Sequence, residues 1–260
     1  MNSKMLRSFA HASIASAMFA IALPSIGFAQ TPAATWVRFT SSVVKPEMTQ
    51  EYEGYLKQIA AAYKKAGQPL YGVYSNFSGN RNEYTTVTLL MKFGDMDGPN
   101  PIRKALGDEA FANLTRSLSR CLVSSTWYYA LPWDDVWINK PGPMGQYFLR
   151  TRIPIAPGKN AEYRAYLKND LKPVLEKGGV TWFRAATPVF GGPAGVVDTV
   201  RMLKNLGEID GGPIPRQVLG VAGAQALAAK AQPLTRGAAQ NTIWRSRPEL
   251  SWISEAMAPK

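Results

Sequence analysis

Residues 51–68 read EYEGYLKQIAAAYKKAGQ, and residues 162–179 read EYRAYLKNDLKPVLEKGG. Both open on Glu-Tyr-X-X-Tyr-Leu-Lys, both space their apolar residues at three and four, and both run out at glycine, where a helix C-terminus wants a left-handed residue. The two stretches lie 111 positions apart, and the register persists beyond them. TVTLLMKFGDMDG (86–98) meets TVRMLKNLGEIDG (199–211), and Pro101-Ile102-Arg103 with Leu106-Gly107 meets Ile214-Pro215-Arg216 with Leu219-Gly220, both at an offset of 113. Small shifts of that kind are what loop insertions produce. The period is far longer than that of a solenoid repeat, so each copy should be a folding unit.

Within each copy the hydrophobic period changes in a fixed order. Trp36–Val44 alternates and is rich in β-branched residues, which predicts a strand; a helix follows over 51–66, then strands over 70–77 and 84–92 around the turn Ser78-Gly79-Asn80. After a loop, Asp108 is placed to cap a helix with the apolar stripe Phe111, Leu114, Leu118, Cys121 and Leu122, and Ser125–Leu131 closes the unit as a strand. The second copy predicts strand 146–155, helix 161–177, strands 180–189 and 196–204, helix 222–231 and strand 242–245, with a kink at Pro173. Each copy is thus β-α-β-β-α-β, the ferredoxin-like pattern of the α+β class. A four-stranded sheet covered by helices on one side leaves the other side bare, and two such sheets packed sheet to sheet would hide both. The expected organisation is a first repeat over 30–131, a Pro/Gly-rich linker over 132–145 and a second repeat over 146–260, after a segment 1–29 with the form of an export signal.

That segment has Lys4 and Arg7 at its start, an apolar run over 14–28 and small residues at Gly27 and Ala29, so cleavage near Gln30 and a periplasmic or secreted location are expected. The apolar run is broken by Pro24 and Ser25 and is shorter than the roughly 20 residues that span a bilayer, so no stable membrane insertion is expected.

The residues at this point resemble a family. RTRIPIAPGKNAEYRAYLKNDLKPVLEKGGV (150–180) looks like the first strand and helix of the dimeric α/β-barrel superfamily, which includes NIPSNAP-type proteins and antibiotic-biosynthesis monooxygenases. The ending, Trp244-Arg245 with Arg247-Pro248-Glu249-Leu250-Ser251, is also similar to that group. The resemblance covers the chain after residue 29 and implies a pseudo-dimeric α/β barrel. The superfamily holds oxygenases, haem enzymes, decarboxylases and proteins of unknown role, so it implies a fold rather than a reaction.

The chemistry open to the chain is narrowed by what it lacks. Its one histidine, His11, falls in the export segment, which excludes Ser-His-Asp and Cys-His arrangements and the usual zinc or haem ligand from the rest. Cys121 is the only cysteine, so no internal disulfide forms, and its place on an apolar stripe reads as packing. The formal charge of +12 falls to +10 without Lys4 and Arg7; the basic residues are dispersed, which argues against nucleic acid as a partner. The paired loops 94–98 and 207–211 lack the acid spacing of a calcium loop, and read as tight strand exits whose glycines take positive φ and whose acids cap a turn or pair with Arg103 and Arg216. Neither a metal nor a cofactor is expected.

Arginine beside aromatic residues on the strands is the more informative pattern. Trp36, Arg38 and Thr40 should share one face, as should Phe148, Arg150 and Arg152 in the second copy; Trp182 with Arg184 and Trp127 with Tyr129 repeat the theme. Buried guanidinium needs an anion, so Arg38, Tyr71, Trp127, Arg150, Arg152, Trp182 and Arg184 are candidate ligand-binding residues in a pocket between sheet and helices, unless internal carboxylates satisfy the arginines. Three functions are compatible: an exported protein binding a small anionic or aromatic molecule; a cofactor-independent enzyme of monooxygenase type, with Tyr71, Tyr74, Trp127 and Trp182 lining its site; or a structural, partner-binding module anchored through Trp133 and Trp137. The oligomeric state is open.

Overall fold

The computed structural model describes residues 35–142 and 144–255; the expected export segment lies outside them. Eight strands close into one antiparallel barrel: β1 (Trp36–Val44), β2 (Leu70–Asn76), β3 (Glu83–Leu90), β4 (Leu122–Pro132), β6 (Tyr147–Pro154), β7 (Trp182–Phe190), β8 (Val196–Leu203) and β9 (Gln240–Ser246). Around the ring they run β2-β3-β1-β4-β7-β8-β6-β9, and β9 pairs back onto β2. Each half therefore has its fourth, first, third and second strands side by side in that order. Two short strands add to the outside: β5 (Ile138–Asn139) on β7, and β10 (Trp252–Ile253) on β2.

The two sheets differ from the expected stacked layers. They join edge to edge, through Tyr129–Pro132 with Ala186–Phe190 at one seam and Tyr74–Asn76 with Trp244–Ser246 at the other. Closure satisfies edges that two stacked sheets would leave open. The bare sides still meet: Val37, Phe39, Ala130, Phe148, Ala186 and Trp244 form a core inside the barrel.

Helices cover the outside. α1 (Thr49–Lys65) buries Tyr52, Leu56 and Ala60, four apart, on the first sheet; full burial of a side chain such as Leu56 contributes about 1.5–3 kcal/mol. It stops where Gly67 takes φ 65° and the Gln68 amide donates to the Tyr63 carbonyl, a glycine-terminated end of the expected kind. α2 (Pro101–Leu106) was not expected; Asn100 caps it by accepting from the amides of Ile102 and Arg103. α3 (Asp108–Cys121) follows at once from Gly107 at φ 87°, so Asp108 is not the cap, and its carboxylate takes Arg103 instead. Cys121 is fully buried beneath this layer, and desolvation pushes its thiol pKa up.

In the second half, α4 (Asn160–Tyr166) and α5 (Lys172–Lys177) are joined by one wide π-type turn over Leu167–Leu171. Pro173 has no amide hydrogen to donate one turn back, and the loosened ladder is the expected kink in that form. α6 (Ile214–Ala231) starts earlier than periodicity suggested and breaks at Gly220, φ 71°. The segment 132–145 is no free linker: Trp133, Val136 and Ile138 are buried in the second half's core, so Trp133 is not an exposed anchor.

Candidate functional site

Pleating puts alternate residues of β1 on opposite faces. Val37 and Phe39 point into the barrel, whereas Arg38, Thr40 and Ser42 point out beneath the helices. Pairing register then builds two outward rows: Tyr129, Arg38, Thr88 and Tyr71 across β4, β1, β3 and β2, and Trp127, Thr40 and Thr86 beside it. In β6 the parity is the reverse of that expected. Phe148, Arg150 and Arg152 point into the barrel, and Leu149, Thr151 and Ile153 point out. The seven candidate residues thus divide between two places: Arg38, Tyr71 and Trp127 lie on the helix side of the first sheet, while Arg150, Arg152, Trp182 and Arg184 lie inside the barrel, not between sheet and helices.

The outer place is a cleft. A cavity of about 360 Å³ runs between the first sheet and its helices, walled by Arg38, Thr40, Thr86 and Thr88 from the sheet and by Tyr63 and Phe111 from α1 and α3. It adjoins a second cavity of about 660 Å³ that shares Arg38, Tyr63, Thr88, Asn100 and Ile102 and is closed by Asp95, Met96 and Met91. Arg38 is the central cation. Its Nε is buried with no hydrogen-bond partner, and among the described residues it has no carboxylate partner; its guanidinium lies 5.0 Å from the Trp127 ring centre, half exposed at the cleft's flank. Burial pushes the Tyr63 hydroxyl above its ordinary pKa, against the lowering effect of Arg38 and Thr88, and pushes fully buried Tyr71 much further. Both stay protonated near neutrality.

The same place in the second half is filled. Ile153, Phe183, Val197, Tyr163 and Leu167 meet there, and Trp133, Val136 and Ile138 complete the packing. Arg201, on that outer face, is paired with Glu208, which also accepts from the Lys204 amide. Room and an unpaired guanidinium occur together in the first half.

Inside the barrel, Asp198 (3% exposed) accepts from Arg150 Nη2 at 3.0 Å, from Arg152 Nε and Nη2 at 2.8 and 2.9 Å, and from the Tyr128 hydroxyl at 2.8 Å. Burial alone would raise this carboxyl's pKa; the two guanidinium groups outweigh it and hold it below the usual carboxylate range. Arg150 and Arg152 are therefore internally paired. Arg184 is not: it stacks on Trp137, 3.7 Å from the ring centre, with Nε buried and unpartnered.

Sequence reasoning missed Tyr63, Thr88 and Asn100 in the cleft and Asp198 and Tyr128 in the barrel. Asp198 carried a signal, being the one acid in the strand VVDTVRML. The loop acids cap the turns that follow their strands, as expected, and among the described residues do not pair with Arg103 or Arg216: Asp95 accepts from the Lys92 amide at the turn's start, and Glu208 accepts from the Lys204 amide and holds Arg201. None of Gly94, Gly98, Gly207 and Gly211 takes positive φ.

No family model matches the chain, and no curated protein sequence matches it. Solved structures do. A candidate monooxygenase from Lactobacillus acidophilus superposes over 85% of this chain and 96% of its own at TM-score 0.60 and 7% identity. An anthrone oxidase-like protein covers 83% and 92% at 0.58 and 12%, and chlorite dismutase from Candidatus Nitrospira defluvii covers 84% and 93% at 0.53 and 10%. These structures share the architecture described above, a closed antiparallel barrel sheathed by helices. At these identities the likeness concerns architecture alone. No histidine lies among the described residues, so a histidine-ligated haem finds no axial ligand in the barrel or the cleft.

Proposed function

We propose that the outer cleft binds a flat, weakly acidic aromatic molecule with its ionised oxygen against Arg38, and that the protein oxidises it with molecular oxygen without a bound cofactor. The observation that carries this is Arg38 itself: a guanidinium with a buried, unpartnered Nε and no carboxylate partner among the described residues, in a roomy cleft whose other walls include threonine hydroxyls and aromatic rings. An anion beside Arg38 is favoured over its neutral form, and Tyr63 lines the same cleft. An electron-rich anion of this class can reduce oxygen by itself. In the net reaction an activated CH2 becomes C=O: one oxygen atom enters the carbon, and the other leaves as water with the two hydrogens. All four electrons come from substrate and no external reductant is needed. The names of the neighbouring structures, a candidate monooxygenase and an anthrone oxidase-like protein, agree with this class.

Binding without turnover is the second reading, favoured by the lack of histidine, the commonest general base, after residue 11. An oxygen electrode with anthrone as probe separates the two. The expected result is uptake of one oxygen per anthrone converted to anthraquinone, with kcat/KM reduced about 10- to 100-fold in Arg38→Met, the effect of losing a charged hydrogen bond. Saturable binding without uptake leaves the binding reading alone, and neither binding nor uptake overturns both. That residues 1–29 form a cleaved export signal, and that the chain is a tandem duplication, belong to the same proposal; N-terminal sequencing of the protein recovered from its native host tests the first, with Gln30 expected at the terminus.

A further inference from the structure

The barrel interior carries more positive than negative charge. Arg150, Arg152 and Arg184 project into it along β6 and β7, and Asp198 is the carboxylate that faces them. Asp198 already accepts four hydrogen bonds from Arg150, Arg152 and Tyr128, and accepts none from Arg184. Stacking on Trp137 satisfies the face of the Arg184 guanidinium but not its edge, where the N–H donors lie in the plane. Among the described residues Arg184 has no ion pair, its Nε is buried and unpartnered, and burial pulls its pKa down despite the more distant Asp134 and Tyr74. A planar donor edge of this kind is matched by a carboxylate, which accepts two parallel hydrogen bonds.

A cavity of about 100 Å³ adjoins this edge. Its walls are mostly aromatic and aliphatic, Trp182, Trp244, Phe39 and Tyr74 with Val87 and Val200, and the one carboxylate that borders it, Asp198, is already neutralised by Arg150 and Arg152. Leu70, Leu89 and Pro132, which also border it, stand at the ends of β2, β3 and β4 at one mouth of the barrel, so a path to solvent exists that does not cross the sheet. One buried cation in an apolar chamber of this size selects for a single charge on a single-ring body.

We propose that the barrel interior is a second ligand site, separate from the outer cleft, which takes a small aromatic carboxylate: the carboxylate pairs with the Arg184 edge and the ring lies against Trp182, Trp244 and Phe39. The site differs from the cleft in its cation, its walls and its mouth, and the two are divided by the strands themselves. A ligand here would brace β7 against β1 and β9 from within, and so stiffen the barrel as a whole.

The test is titration of the full chain with benzoate, followed by tryptophan fluorescence and calorimetry. The expected result is a saturable site whose affinity falls at least 10-fold in Arg184→Met and is recovered in part in Arg184→Lys. Benzyl alcohol, the uncharged analogue, should bind the unaltered protein at least 10-fold more weakly than benzoate, which keeps the test independent of whether the variants fold. Absence of saturable binding, equal affinity for the alcohol, or loss of binding in Arg38→Met with retention in Arg184→Met would each overturn the proposal.

Discussion

Replacing Asp198 by asparagine removes the one carboxylate that Arg150 and Arg152 share, and leaves two guanidinium groups facing each other inside the barrel. Breaking a buried charge pair by deleting one partner costs about 3–5 kcal/mol. Here the lower end applies, because the arginine side chains keep 19% and 23% of their exposure and water can reach part of their charge. Asp198→Asn should therefore lose about 3 kcal/mol of unfolding free energy. Tyr128→Phe, which removes a single hydrogen bond to that carboxylate, should lose only about 1.5 kcal/mol. The pH dependence follows from the sign of the shift. The folded-state pKa of Asp198 is depressed, so its contribution is fully present above the unfolded value near 4 and disappears as pH falls through the folded one. Urea unfolding of both proteins from pH 7 down to pH 3 checks this: the gap between them should be widest near neutrality and narrow in acid. An Asp198→Asn protein within 1 kcal/mol of the unaltered one at pH 7, or a gap that grows in acid, would refute the account of the barrel interior.

Two glycines should respond in opposite senses. Gly191 adopts φ 75°, and a Cβ there would sit 2.8 Å from the Trp127 carbonyl oxygen, so Gly191→Ala should destabilise by about 1–3 kcal/mol. Gly54, inside α1 with nothing within 4 Å, should gain about 0.5–1 kcal/mol as alanine; thermal unfolding of the pair reads both. The Cys121 thiol is fully buried and shifted toward its neutral form, so a disulfide reagent at pH 8 should leave it unmodified in the native protein and label it once in denaturant.

Most elements were legible because their periods differ: α1 and β1 were each placed to within two residues by spacing alone. The face each strand presents was harder. In a barrel sheathed by helices both sides of a strand are apolar, so alternation says that neighbours diverge without saying which one turns inward. With a period of two, a shift of one residue transfers every side chain to the opposite face, so placing Arg38 and Arg150 in the same kind of pocket required a register that strand alternation does not supply. In the structure Arg38 and Leu149 face outward while Phe39 and Arg150 face into the barrel, which is the correspondence the 111-residue offset of the two helix stretches also gives. α2 escaped notice because six residues carry little periodicity, although Asn100-Pro101 is a start signal in its own right. The segment 132–145 was misjudged from its prolines and glycines; its contribution to the core comes from Trp133, Val136 and Ile138, whose burial depends on partners in β7 and α4 that adjacent sequence does not reveal.

The seam between β2 and β9 ties Tyr74 to Ser246, residues 172 positions apart in a chain of 260. During synthesis the outer edge of β2 must wait, unpaired, until nearly the last strand has left the ribosome. Ring closure is thus a late event with a large loop to be gathered first, and it exposes a sticky border to any neighbouring chain that arrives earlier. The cellular yield of this protein should accordingly be governed by how quickly its C-terminal end is delivered, and by what guards that border in the meantime.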